Sequence, residues 1–141
     1  MKNIIAIAIF SAFTWSCATS SKQPAVDQKP AIAAQKKADS ADEWEVTVFD
    51  AGYETFVATR AQPISMFTES SLKARNVILV NEWNSRFYAG INRNFYEVAI
   101  DYDPSEKYGL DFEYRMYQFF AYCNWKYGIQ FTGLRGIDKV K

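Results

Sequence analysis

From Trp44 to Val48 apolar and polar side chains alternate, with Trp44, Val46 and Val48 on one face and Glu45 and Thr47 on the other. That is the period-two signature of a half-buried strand. The period then changes. Asp50 suits a helix N-cap, and Tyr53, Phe56 and Val57 in "AGYETFVATRA" are spaced for one helical face until Pro63 stops the helix. From Thr68 onward Leu72, Leu79, Trp83 and Phe87 fall near a helical stripe, as one helix or two, with Gly90 placed to end it. Alternation returns in "NFYEVAIDYD", where Tyr96, Val98, Ile100 and Tyr102 oppose Glu97, Ala99, Asp101 and Asp103. This predicts a second strand, the natural partner of 44–49.

Asp103, Pro104 and Glu106 then read as N-cap, N1 and N3 of a last helix, which Gly109 interrupts in its first turn. From Leu110 the chain is apolar nearly all round, through Phe112, Tyr114, Met116, Tyr117, Phe119, Phe120, Tyr122 and Trp125. A helix with so little polar face is covered on several sides. Lys126 and Gly128 end it with a favourable charge and a C-terminal glycine. The tail after Ile129, with Phe131 and Leu134, reads as loosely docked. The expectation is an α+β fold: a small domain of few β-strands covered by helices, with one long apolar C-terminal helix. Two strands alone are marginal, so the helices must cover them.

Composition divides the chain. Residues 42–141 carry 21 of the 24 aromatic side chains, enough apolar area for one core, and hold 11 basic against 14 acidic groups. A net charge of that sign argues against a nucleic-acid partner. Residues 18–41, "ATSSKQPAVDQKPAIAAQKKADSA", contain only Val26 and Ile32 as larger apolar groups and cannot build a core. They read as a disordered tether with a span of roughly 25–30 Å as a coil. The alternative is a short Ala/Gln/Lys helix around 31–38.

Ahead of the tether, Met1-Lys2-Asn3 is a short positive head and Ile4 to Phe13 an apolar run of ten residues. That is the size of a signal-peptide h-region and half of what a membrane-spanning helix needs. In "AFTWSCATSSK" a small residue directly precedes Cys17. The pattern resembles a bacterial lipoprotein signal, in which Cys17 becomes the acylated mature N-terminus. Its rival is a plain signal peptide or an uncleaved anchor in which Cys17 is incidental. Cleavage before Cys17 leaves Cys123 as the other cysteine, so an intramolecular disulfide would need the lipidated thiol. The domain reading is therefore 1–16 signal peptide, 17–41 lipidated Cys17 and tether, and 42–141 a single globular α+β domain.

Histidine is absent, which removes the commonest general base and metal ligand. No Ser-His-Asp or Cys-His set can be assembled, and no catalytic, cofactor or metal residues are assigned. Glu97, Asp101 and Asp103 form a carboxylate row on the predicted strand that would suit a hard cation or a glycosidase pair, but the Asp-x-Asp-x-Asp-Gly loop is missing and Asp103 already serves as a cap. The stretch Asn81-Glu82-Trp83-Asn84-Ser85-Arg86 is the best binding candidate. There Trp83 would stack on a ligand ring, Arg86 would supply a donor fork, and Asn84 an amide. The structural alternative buries Trp83 and pairs Glu82 with Arg86 on the helix surface. The tyrosines of the last helix rim either a groove or a core, and Cys123 reads as a buried inert thiol.

Together "FDAGYETFVATRAQP", "VNEWNSR" and "YEVAIDYDPSEKYGLDFEYRMYQFFAY" resemble an uncharacterised family of small Bacteroidota envelope lipoproteins, a domain of unknown function. The likeness covers roughly Trp44 to Tyr127. It implies an envelope lipoprotein and carries over no activity or catalytic residue. The expected role is a non-catalytic interaction or accessory module. It would be held by its lipid at the periplasmic face of the outer membrane, with an envelope protein as partner, no nucleic acid and no cofactor. The alternative is a small module binding glycan or peptidoglycan fragments.

Overall fold

The computed structural model describes residues 30–37 and 43–139. Its elements are β1 (Ile32–Lys36), β2 (Trp44–Val48), α1 (Tyr53–Thr59), α2 (Glu69–Tyr88) and α3 (Leu110–Tyr127), with short 3-10 turns at Ile64–Met66 and Gly136–Asp138. The fold is α+β: a two-stranded antiparallel sheet with three α-helices among the described residues.

α3 is the shaft on which the rest is mounted. From Phe112 to Asn124 every residue except Arg115 is buried, because α2, β2 and α1 all pack against this helix. Its rings interlock with those of its neighbours. Trp83 lies 5.3 Å from Phe119, Phe67 lies 5.6 Å from Tyr117, and Phe112 stacks on Tyr108 at 4.2 Å. Each such side chain removes about 150–250 Å² from water. The interior of α3 is less apolar than its pattern implies, since Glu113, Gln118 and Asn124 are buried along with the rings. No helix among the described residues is long and apolar enough to cross a membrane.

β2 forms where the alternation places it, but its partner differs from expectation. β1 comes from the stretch read as tether, pairing Ile32 with Val48, Ala34 with Val46 and Lys36 with Trp44. The short run "IAAQK" is too poor in large side chains to nucleate a core. It does not have to, because β2 already lies against α3 and β1 adds only backbone pairing and half-buried Ile32 and Ala34. Lys37 closes the far end on Glu43 at 2.7 Å.

The second predicted strand, 96–103, does not form. α2 takes its hydrogen bonds instead. Asn84 receives the Ile100 amide on Oδ1 at 2.8 Å and donates from Nδ2 to the Ile100 carbonyl at 2.9 Å. One carboxamide thus stands in for a neighbouring strand. Just before it, the Trp83 indole donates to the Val98 carbonyl at 2.9 Å.

Asp50 and Asp103 both sit at turns rather than as helix N-caps. Asp50 lies two residues ahead of Gly52, the cap of α1, and accepts its amide at 2.9 Å. Asp103 accepts the Ser105 amide at 2.8 Å in a separate turn, so α3 begins only after Gly109. Thr68 does cap α2, which runs as one helix; Gly90 and Gly128, both at positive φ, lie where α2 and α3 end. The tail docks firmly, with Phe131, Leu134 and Asp138 all buried.

Candidate functional site

The polar stretch 81–86 lies in the second half of α2, and the helical rotation deals its side chains to two sides. Trp83 faces inward and is 2% exposed. Phe95, Tyr96, Phe119 and Phe120 surround its ring at centroid distances of 4.8–6.2 Å. With its N–H given to Val98, the ring has no open face for a sugar, and the stacking role does not fit this geometry. Asn84 is likewise committed, holding Ile100.

On the outer side Ile78, Asn81, Glu82, Ser85 and Arg86 line an open depression of about 460 Å³. The expected Glu82–Arg86 pair is replaced by two separate ties to the tail. Glu82 accepts the Thr132 amide and hydroxyl, each at 2.9 Å at its nearer oxygen. Arg86 donates to the Tyr96 hydroxyl at 2.8 Å and the Gln130 carbonyl at 2.6 Å, with its guanidinium 4.8 Å from the centre of the Phe131 ring. Arg86 is therefore partly spent on holding the tail. Asn81 and Ser85, both exposed, add an amide and a hydroxyl at the lip.

Three buried carboxylates were not legible as such in the sequence. Asp50 lies between α1 and α3, accepting Lys126 Nζ at 2.8 Å and the Tyr127 hydroxyl at 2.6 Å. Burial alone would raise its pKa, but these donors and the Gly52 amide outweigh it and hold the carboxyl below its ordinary value. Glu113 lies between α2 and α3. Asn76 donates to it at 2.7 Å and Tyr102 at 3.0 Å, yet burial prevails and pushes its pKa up. Asp138 receives the Tyr117 hydroxyl at 2.6 Å and Arg135 Nε at 2.6 Å, and burial together with that carboxylate raises Tyr117 to about 12. Such polar residues inside an otherwise apolar helix, as Glu113 and Asn124 are, were the one available signal that α3 buries polar groups.

The other candidates fall elsewhere. Glu97 and Asp101 are exposed on an irregular segment rather than on a strand face, and Asp103 serves its own turn. Among the described residues no three His, Cys, Asp or Glu side chains gather in a way that could hold a metal ion. Of the α3 tyrosines, Tyr114 donates to the Gln62 carbonyl at 2.8 Å and Tyr117 to Asp138, so both serve the interior. Cys123 is fully buried and burial drives its thiol pKa well up. Cys17 lies outside the described residues.

The chain belongs to a family of unknown function (DUF6146), whose model matches residues 4–139. No curated protein and no solved structure matches it.

Proposed function

We propose that this member of the family is a lipid-anchored, non-catalytic interaction or accessory module of the cell envelope, held through Cys17 at the periplasmic face of the outer membrane. Its anchoring rests on "MKNIIAIAIFSAFTWSC", where a positive head, a short apolar run and Ser16 lead to Cys17. The observation that carries the interaction role is how the side chains are used. Asp50, Glu113 and Asp138 are engaged by internal donors. Met66, Ile91 and Ile137 remain exposed. Apolar surface left in water is what a partner covers.

Crosslinking the tagged, full-length protein in native envelopes and isolating it in detergent tests this reading. One stoichiometric partner, lost when exposed apolar residues are substituted, is the expected result. Cys17→Ala should abolish acyl labelling, and persistent labelling would overturn the anchor. A second reading rests on the depression at Asn81, Ser85 and Arg86, where an amide, a hydroxyl and a guanidinium converge. A preparation without partner, whose melting temperature rises with glycan or peptidoglycan fragments, would favour it.

A further inference from the structure

The acylated reading of Cys17, on which this inference rests, leaves 12 residues between the anchor and Pro30. Thirteen steps of extended chain reach at most about 45 Å. A domain of this size has a radius of gyration of about 13 Å, so the leash is comparable with the domain's width. β1 is responsible for that shortness, because pairing with β2 removes residues 32–36 from any tether. The end of the domain that receives the leash is thereby kept close to the bilayer.

That end carries exposed apolar side chains. Pro30 lies in a narrow cleft with Ile32, Trp83, Glu97 and Val98, and Val98 is 63% exposed. Phe49, 59% exposed, is beside it, since its amide bonds the Ala31 carbonyl at 2.8 Å. Glu97 also borders a second depression, with Phe87, Tyr88, Arg93 and Tyr96, where Tyr88 is 76% exposed. Aromatic and branched apolar groups beside an arginine suit the boundary between headgroups and acyl chains.

We infer that the domain seats this face, centred on Phe49, Val98 and Tyr88 around the Pro30 entry point, on the lipid surface that holds its anchor. The anchor makes the contact intramolecular in effect, so shallow insertion of a few side chains suffices.

The test uses full-length acylated protein in protein-free vesicles of phosphatidylethanolamine and phosphatidylglycerol. Val98→Cys, Phe49→Cys and Ile137→Cys each carry a nitroxide; acylation blocks Cys17 and burial protects Cys123. Ile137 is the reference, because it lines a separate depression with Phe56, Arg60 and Gln118. Power saturation compares collision with oxygen and with a water-soluble nickel chelate. The expected result is a severalfold lower nickel-to-oxygen ratio at 98 and 49 than at 137, lost in the Cys17→Ala background. Equal ratios at all three sites in protein that is acylated and floats with the vesicles would overturn the seating alone. Protection at 98 and 49 in native envelopes but not in these vesicles would also overturn it, giving the face to a protein. Protein that bears no acyl group and stays soluble would overturn the anchor and the seating together.

Discussion

Gly52 shows how closely two distant parts of the chain approach. A Cβ built there would lie 2.6 Å from the Tyr122 hydroxyl oxygen. Tyr122 cannot swing aside, because it is fully buried and packs edge-on against Tyr53 at 5.7 Å and Phe56 at 5.4 Å. Gly52→Ala should therefore destabilise the domain by about 1–3 kcal/mol, the usual effect of forcing atoms into a packed core. Adding Tyr122→Phe removes the clashing oxygen and leaves the ring carbon Cζ at 3.6 Å, an ordinary contact. Urea unfolding of the two single variants and the double variant should show the double more stable than Gly52→Ala alone. A double variant no more stable than that would mean the hydroxyl is not the obstacle. The sequence offered Asp50 as a helix N-cap; neither the turn it forms with Gly52 nor the dependence of that turn on a ring 70 positions away was legible there.

At the level of elements, Asn84 decides what residues 98–100 become. Alternation reports which faces are apolar, and it is blind to where backbone hydrogen bonds go. Both Ile100 bonds go to the Asn84 side chain, at 2.8 and 2.9 Å. Asn84→Ala would leave a backbone donor and acceptor at a buried residue without these partners, a loss of about 1–3 kcal/mol. It should also speed hydrogen exchange of the Ile100 amide. Unchanged exchange would show that other contacts hold the segment. The same blindness hid β1. Its composition excluded a core, correctly, and said nothing of a strand added to a core made elsewhere.

For the whole molecule, Asp50 and Glu113 give stability opposite dependences on pH. Asp50 ties α1 to α3, and its folded pKa lies below the ordinary 3.8. Its contribution is present above that value and is lost as pH falls through the folded pKa. Glu113 ties α2 to α3, with its folded pKa above the ordinary 4.5. There the folded state holds the proton more tightly, so stability declines as pH rises from 4.5 through the raised value. Urea midpoints followed through the acid range should show both limbs. Asp50→Asn should flatten the low one and Glu113→Gln the high one. If Glu113→Gln leaves the upper limb unchanged, another group produces it.

The sequence by itself determined β2, the start of α2, the ends of α2 and α3, and α3 as the most buried helix, since these follow from local periodicity, capping chemistry and density of aromatic side chains. Tertiary structure alone decided that 32–36 would be a strand, that 96–103 would not, that Asn84 would bond Ile100, and that three carboxylates would be buried. Each of those outcomes depends on which distant group supplies the hydrogen bond. The Asp50–Lys126 and Asn76–Glu113 pairs bridge 76 and 37 positions, separations over which no local pattern carries information.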